Sequence, residues 1–333
     1  MKVLLLLGSL FFAFPASAED LSLKFGTLAP DNTPWSRLLQ DFKKNVEEKS
    51  AGKVKVKIYL DGKQGDERAM LQKMRFGQLT GGGFSTGGMA AVVPELQILE
   101  LPFLFDNNAE SDYVMDKVLL PDLQAALEKK GLYLFCWAEN GWLDFGTSVH
   151  PIKSAKDFEG LKMYAQESDV SIETVKALGA QAQVLAVPEV LGALQTGLLN
   201  AFMTTPIFAT GAQWFTQAKF WTDSNHTYQP AAVVFDSKFW AKVPDDLKKT
   251  MLDMKDQLQI SARKNVRGID EELYRGFREQ KIEITTISKE DRAELRKKTA
   301  KVADVLIQKG AFPREWYERV QRALGEFRAG KAK

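Results

Sequence analysis

The sequence predicts an α/β protein of two domains, and three observations predict it. After an apolar leader, strand and helix patterns alternate as β-α-β-α, the signature of a parallel sheet covered by helices. The chain has 333 residues, 45% apolar and 26% charged, which is globular and long enough for two cores of ordinary size. Residues 245–280 carry a nearly uninterrupted helical pattern. That exceeds the usual globular helix and suggests an element crossing both domains. No internal repeat or low-complexity linker separates the halves, so hinges are expected at strand crossings.

The elements follow in order. Lys2, the apolar run Val3 to Phe14 and Ala16-Ser17-Ala18 read as a cleavable secretory signal peptide over residues 1–18. The run is too short for a membrane span. Leu21, Leu23 and Phe25 alternate as a strand. Thr33 caps a helix with Pro34 at its first position. Val54, Val56 and Ile58 form a second strand, and Asp66 opens a helix running to Phe76. The glycine-rich segment 77–89 contains Gly83-Phe84-Ser85-Thr86-Gly87, which fits G-x-S-x-G. Its flank Gln78-Leu79-Thr80-Gly81-Gly82 is a poor strand, so a loop in close backbone approach is expected rather than a nucleophile elbow. Residues 100–105 form an apolar loop and 112–130 a helix. Tyr133 to Trp137 and Leu143 to Ser148 read as two strands separated by 138–141.

Ser154 and Asp157 make a capping box for a single turn that ends at Gly160. The stretch Leu161-Lys162-Met163-Tyr164-Ala165-Gln166 is then a short strand. Period-two alternation puts Tyr164 and Gln166 on one face, Met163 and Ala165 on the other. Helix, strand and helix follow over 171–178, 182–187 and 188–195. A strand or turn spans 198–203, and a helix from Pro206 to Lys219 carries Trp214. Ala231 to Phe235 is a strand, Ile282 to Ile287 another, and helices cover 288–309 and 314–328.

Composition and motifs exclude several functions. With 45 basic and 43 acidic residues the net charge is +2, with no footprint for nucleic acid. The only cysteine, Cys136, sits in a buried-strand pattern and reads as a core hydrophobe. No disulfide can form, which for an exported chain points to a large core and a periplasm-like space. His150 and His226 have no ligand-spaced partners, so no metal is expected. Phosphate-binding glycine motifs are lacking, and no cofactor is implied. An exported serine hydrolase using Ser85 is the enzymatic alternative. Binding has the better signal: Trp35, Phe84, Trp137, Asn140, Trp142, Tyr164, Gln166, Trp214 and Tyr228 recur at expected loop ends. Ligands of open α/β sheets sit there.

Several stretches carry a resemblance. Gly65-Asp66-Glu67-Arg68, Val93-Pro94-Glu95-Leu96, Glu100 to Phe105, Glu139-Asn140-Gly141, Pro151-Ile152, Leu161-Lys162-Met163, Lys176 to Ala180 and Ala193 to Gly197 occur in the order found in one family. In these the chain resembles the periplasmic solute-binding subunit of tripartite ATP-independent periplasmic (TRAP) transporters. The resemblance implies a two-lobed periplasmic binding protein fold, type II-like, each lobe a mixed sheet flanked by helices, with a long helix spanning both. Lobe I is then expected over 19–141 and about 229–260, lobe II over 142–228 and about 261–333. It implies no enzyme, and partners in a small and a large permease subunit.

The departure from the family pattern lies at Tyr164, where most relatives carry a carboxylate-clamping arginine. A guanidinium offers a charged fork, a phenol one neutral donor. Trp142 to Phe145 and Phe202-Met203-Thr204-Thr205 likewise bring no positive charge. An unpaired carboxylate in a dry cleft costs several kcal/mol. The expectation is therefore an apolar or neutral ligand held by Trp35, Glu67, Phe84, Trp137, Asn140, Tyr164, Gln166, Phe202, Thr204 and Trp214. The alternative is an ordinary organic-acid receptor using a different basic residue. By analogy with other members showing such changes, a periplasmic tetratricopeptide-type partner is a further expectation.

Overall fold

The computed structural model describes residues 21–331; the signal-peptide reading over 1–18 lies outside them. Nine strands form one sheet: β1 Leu21–Thr27, β2 Val54–Tyr59, β3 Gly81–Ser85, β4 Leu132–Thr147, β5 Lys162–Ala165, β6 Gln181–Val184, β7 Ala201–Thr204, β8 Phe220–Asp236 and β9 Glu283–Thr286. Their order is β2-β1-β3-β8-β4-β7-β5-β6, with β9 paired to β8. The parallel trio β2-β1-β3 hangs on the end of β8, Gly81 to Ser85 pairing with Phe235 to Ala231. The parallel trio β7-β5-β6 hangs on the end of β4, Asp144 to Thr147 pairing with Thr204 to Ala201. Between them β4 and β8 run antiparallel from Leu132↔Asp236 to Thr147↔Phe220.

Four hydrophobic clusters fill the two halves. Phe25, Leu39, Phe135, Phe235 and Trp240 share one cluster, and Met70, Leu96, Leu127 and Val234 another. In the other half Phe145, Phe158, Met163 and Val175 make a third, and Tyr164, Phe202, Trp214 and Phe277 a fourth.

Several expectations are corrected. The two strands expected over 133–137 and 143–148 are one strand, β4, because three register shifts let it bend without breaking. One lies between Glu139 and Gly141, where Gly141 has φ +110. The strand at 231–235 is the last third of β8; Pro230 hid the rest, since a proline argues against a central strand unless it sits at an irregularity, as here opposite Glu139. Segment 81–85 is a strand and not a loop. Its glycines are there for proximity: a Cβ on Gly82 would lie 2.7 Å from the Gly26 carbonyl oxygen and 2.3 Å from the Phe84 ring.

The expected helix 245–280 is two helices, Asp245–Val266 and Asp270–Glu279, broken at Arg267 and at Gly268 with φ +84. The first packs Met251 and Leu258 among Phe135 and Phe235; the second packs Tyr274 and Phe277 on Trp221. The helix at 288–309 also divides, into Lys289–Thr299 and Val302–Gln308. That at 206–219 is Pro206–Gly211 followed by a 3₁₀ turn Trp214–Gln217, and that at 112–130 is a helix Asn108–Tyr113, a π turn and a helix Leu120–Lys129. Helix patterning records which residues face inward, and that register survives such breaks.

Asp144 anchors the second half of β4. Its buried carboxylate accepts from the Trp221 indole at 3.0 Å, the Tyr274 hydroxyl at 2.5 Å, and the Ser224 and Asn225 amides at 2.8 and 3.0 Å. Burial outweighs these donors and raises its pKa to about 7. Cys136 is buried, which pushes its thiol up to about 12 and leaves it an inert core group.

Two outcomes follow. Gly82→Ala is expected to lose about 1–3 kcal/mol of stability by overpacking, read from the urea midpoint; an unchanged midpoint would show that the sheet relaxes around it. Because burial raises the folded pKa of Asp144 above the ordinary carboxylate value of 3.8, its contribution is complete below that value and is lost as pH rises through about 7. The destabilisation caused by Asp144→Asn is therefore expected to be larger at pH 5 than at pH 8, and a pH-independent penalty would contradict the assignment.

Candidate functional site

A cleft opens between the two halves at the level where β4 and β8 shift register. It spans about 1040 Å³, solvent-open part included. Of the residues singled out from sequence, Trp35, Glu67, Phe84, Asn140, Tyr164, Gln166, Thr204 and Trp214 line it. Trp137 and Phe202 do not. Trp137 is a core residue of the first half, packed in the cluster of Met70 and Leu96. Phe202 points into the second half, edge-on to Trp214 and Trp221.

The strand Lys162–Ala165 delivers its side chains as alternation requires. Met163 and Ala165 enter the core beside Phe158, while Tyr164 and Gln166 reach the cleft. The Tyr164 ring meets Trp214 edge-on at 5.3 Å, and Phe208 meets Trp214 edge-on at the same distance. Burial, then the charges of Glu67 and Asp66, push the Tyr164 hydroxyl well above its ordinary pKa. Residue 164 is therefore a neutral aromatic wall with one donor.

The polar floor centres on two buried glutamates. Asp66 caps the helix Glu67–Arg75, which places Glu67 at its first position. The Glu67 carboxylate accepts from the Ser85 amide at 2.5 Å, the Ser85 hydroxyl at 2.7 Å and the Gln166 amide at 3.0 Å. Glu100 accepts from the Thr86 hydroxyl and, at 3.4 Å, from the Gln229 amide. Burial is the main cause that raises both carboxyls to about 7. Gly87 and Gly88 find their reason here: a Cβ on Gly88 would overlap the Glu67 carboxylate at 1.7 Å, and one on Gly87 would lie 2.9 Å from Glu100.

Sequence reasoning missed Glu100, Gln229 and Phe208 as cleft residues. A signal for Glu100 was available: a single carboxylate inside the apolar run Ile98 to Phe105 must be either exposed or partnered.

No Lys, Arg or His is among the described residues lining the cleft. Arg68 borders a smaller cavity at its mouth, together with Glu67, Tyr164, Gln166 and Glu167, and is ion-paired with Glu167. Ser85 does follow a strand and precede the short helix Thr86–Met89, as an elbow would. Its hydroxyl, however, is engaged by Glu67, the Gly88 amide and Gln166, and His226 is buried elsewhere against Phe145. The arrangement offers Ser85 no histidine base; its hydroxyl faces the Glu67 carboxylate instead.

Comparison with known proteins places the chain. Residues 25–309 match the family of bacterial extracellular solute-binding proteins, family 7 (DctP). The chain is 26% identical over 271 residues to the 2,3-diketo-L-gulonate-binding periplasmic protein YiaO of Escherichia coli K12, covering 81% of this chain and 83% of that one. It is 29% identical over 247 residues to the C4-dicarboxylate-binding periplasmic protein DctP of Rhodobacter capsulatus, 72% of each chain. The crystal structure of the sugar acid binding protein DctPAm of Advenella mimigardefordensis with galactonate superposes with a TM-score of 0.87 at 26% identity, over 92% of this chain and 99% of that one. These proteins are receptors and not enzymes, which sets the Ser85 hydrolase aside. The two halves are thus the lobes of a periplasmic binding protein, and the chain belongs to the DctP family of TRAP-transporter solute-binding proteins.

Proposed function

We propose that the chain captures a small organic acid in the interlobe cleft and hands it to the small and large membrane subunits of a TRAP transporter. The observation that carries the acid reading is the ligand class of the relatives: diketogulonate, C4-dicarboxylates and galactonate are all organic acids. The apolar ligand expected from Tyr164 finds no counterpart among them, and neither does a tetratricopeptide-type partner. We place the receptor in the periplasm, with residues 1–18 removed on export. Lobe I comprises 19–141 with about 229–260, and lobe II 142–228 with about 261–333.

An acid in this cleft needs donors other than the family's arginine. Arg68 at the mouth can turn from Glu167 to a ligand carboxylate, since the pair is about half exposed and an exposed pair is worth only about 0–1 kcal/mol. The other donors are hydroxyls such as Thr204, Ser171 and the Tyr164 phenol. A second reading, a neutral solute, is favoured by one observation: the lining carries two buried carboxylates and no cation among the described residues.

Titration calorimetry with galactonate tests the first reading. Arg68→Gln is expected to weaken galactonate binding about tenfold or more, the worth of one charged hydrogen bond. Unchanged affinity would remove Arg68 from the site, and heat only from uncharged solutes would leave the second reading. Tyr164→Arg is expected to raise affinity for succinate about tenfold or more. No gain would mean that residue 164 does not touch the ligand.

A further inference from the structure

The two buried glutamates are joined by amides, and with both carboxylates ionised each bond in the chain has one direction. The Gln166 amide nitrogen donates to Glu67 at 3.0 Å and to the Ser85 hydroxyl at 3.1 Å. An ionised carboxylate has no hydrogen to give, so the Gln166 NH₂ must face it and the Gln166 oxygen must face away. That oxygen accepts from the Gln229 amide nitrogen at 3.4 Å, which also donates to Glu100 at 3.4 Å. The Gln229 oxygen is thereby turned toward Asn140, whose amide nitrogen donates to it at 3.1 Å. Asn140 ends the chain and lines the cleft, and its carbonyl oxygen bonds to no described residue.

Resting on the receptor reading above, we propose that this amide relay sets the polarity of the cleft. Glu67 and Glu100 hold the NH₂ groups inward, so Asn140 presents an acceptor, and the site selects solutes that bring hydroxyl or N–H donors to it. A monocarboxylate with hydroxyl groups, or an uncharged polyol, satisfies Asn140. A ligand whose second end is another carboxylate sets oxygen against oxygen beside two buried acids and is discriminated against. The elements packed around the relay are the helix Glu67–Arg75, β3, the 3₁₀ turn Pro94–Glu100, β4, β5 and β8. The other ionisable groups near it are Asp66, Arg68, Glu167 and Tyr164 around the smaller cavity, and Glu139 beside Asn140, held by Arg267 and Tyr228. Both glutamates titrate near pH 7, so the relay is locked at pH 8 and loosened at pH 5.5, where protonated carboxyls accept either amide orientation.

The test is calorimetry with galactonate, galactitol and succinate on the full mature chain, at pH 8 and pH 5.5, for the wild type and for Glu100→Gln. At pH 8 the wild type is expected to bind galactonate or galactitol about tenfold or more tighter than succinate, the penalty of one unpaired buried polar group. That ratio should shrink about fivefold or more at pH 5.5, in a protein that needs no substitution. It should shrink likewise in Glu100→Gln, with an unchanged far-ultraviolet spectrum showing that the variant is folded. Succinate bound as tightly as galactonate at pH 8 would overturn the relay while leaving the organic-acid reading intact. Galactitol bound without galactonate or succinate would keep the relay and remove the acid. A ratio indifferent to both pH and Glu100→Gln would overturn the relay, and binding of none of the three would overturn both proposals.

Discussion

The antiparallel ladder between β4 and β8 is the constraint on which the rest of the molecule depends. Both parallel trios are extensions of these two strands, so the sheet passes from lobe to lobe through them. The ladder is irregular where it must bend. Gly141 adopts φ +110 and approaches Val266, where a Cβ would lie 3.2 Å from that side chain. Pro230, opposite Glu139, gives up a ladder hydrogen bond that the register shift does not need. The third passage between the lobes, the helix pair around Arg267 and Gly268, breaks at the same level.

Charge pins this level. Arg267 donates to Asp112 at 2.7 and 2.8 Å and to Glu139 at 2.7 to 3.0 Å, and the Tyr228 hydroxyl donates to Glu139 at 2.6 Å. Glu139 is 1% exposed, so losing Arg267 would strand a buried charge, which costs several kcal/mol. Arg263 repeats the motif on Asp116 one turn earlier. Asn140 and Gln229 stand beside these groups on the same two strands. The polar floor of the cleft is therefore built into the crossing itself.

The cleft combines an aromatic wall with an acidic floor. Trp214, edge-on to Tyr164 and Phe208, supplies the wall. Glu67 and Glu100 supply the floor and are paired with amides and hydroxyls rather than with cations. Neutral partners satisfy their hydrogen bonds but not their charge, which is why burial raises both carboxyls to about 7. The named relatives bind acids; the lining of this cleft carries no cation among the described residues, and the guanidinium of Arg68 borders only the smaller adjoining cavity.

Local chemistry in the chain settled much of this. Alternation in Leu161 to Gln166 sorted Tyr164 and Gln166 to the cleft and Met163 and Ala165 to the core, because a strand has only two faces and one was apolar. The capping of Thr33, Asp66 and Ser154 was legible because a cap is a contact between residues two or three apart. The fold class and family followed from eight short stretches in order. Tertiary structure decided what needs a distant partner. It joined two strand patterns into β4 across a bulge and carried β8 through Pro230. It also broke the long helix at Gly268 and buried Trp137 and Phe202 away from the cleft. Glu67 and Glu100, 33 positions apart in the chain, meet through Gln166 at the end of β5 and Gln229 on β8. A sequence states each residue's appetite for charge or water; only packing states which partner is within reach to satisfy it.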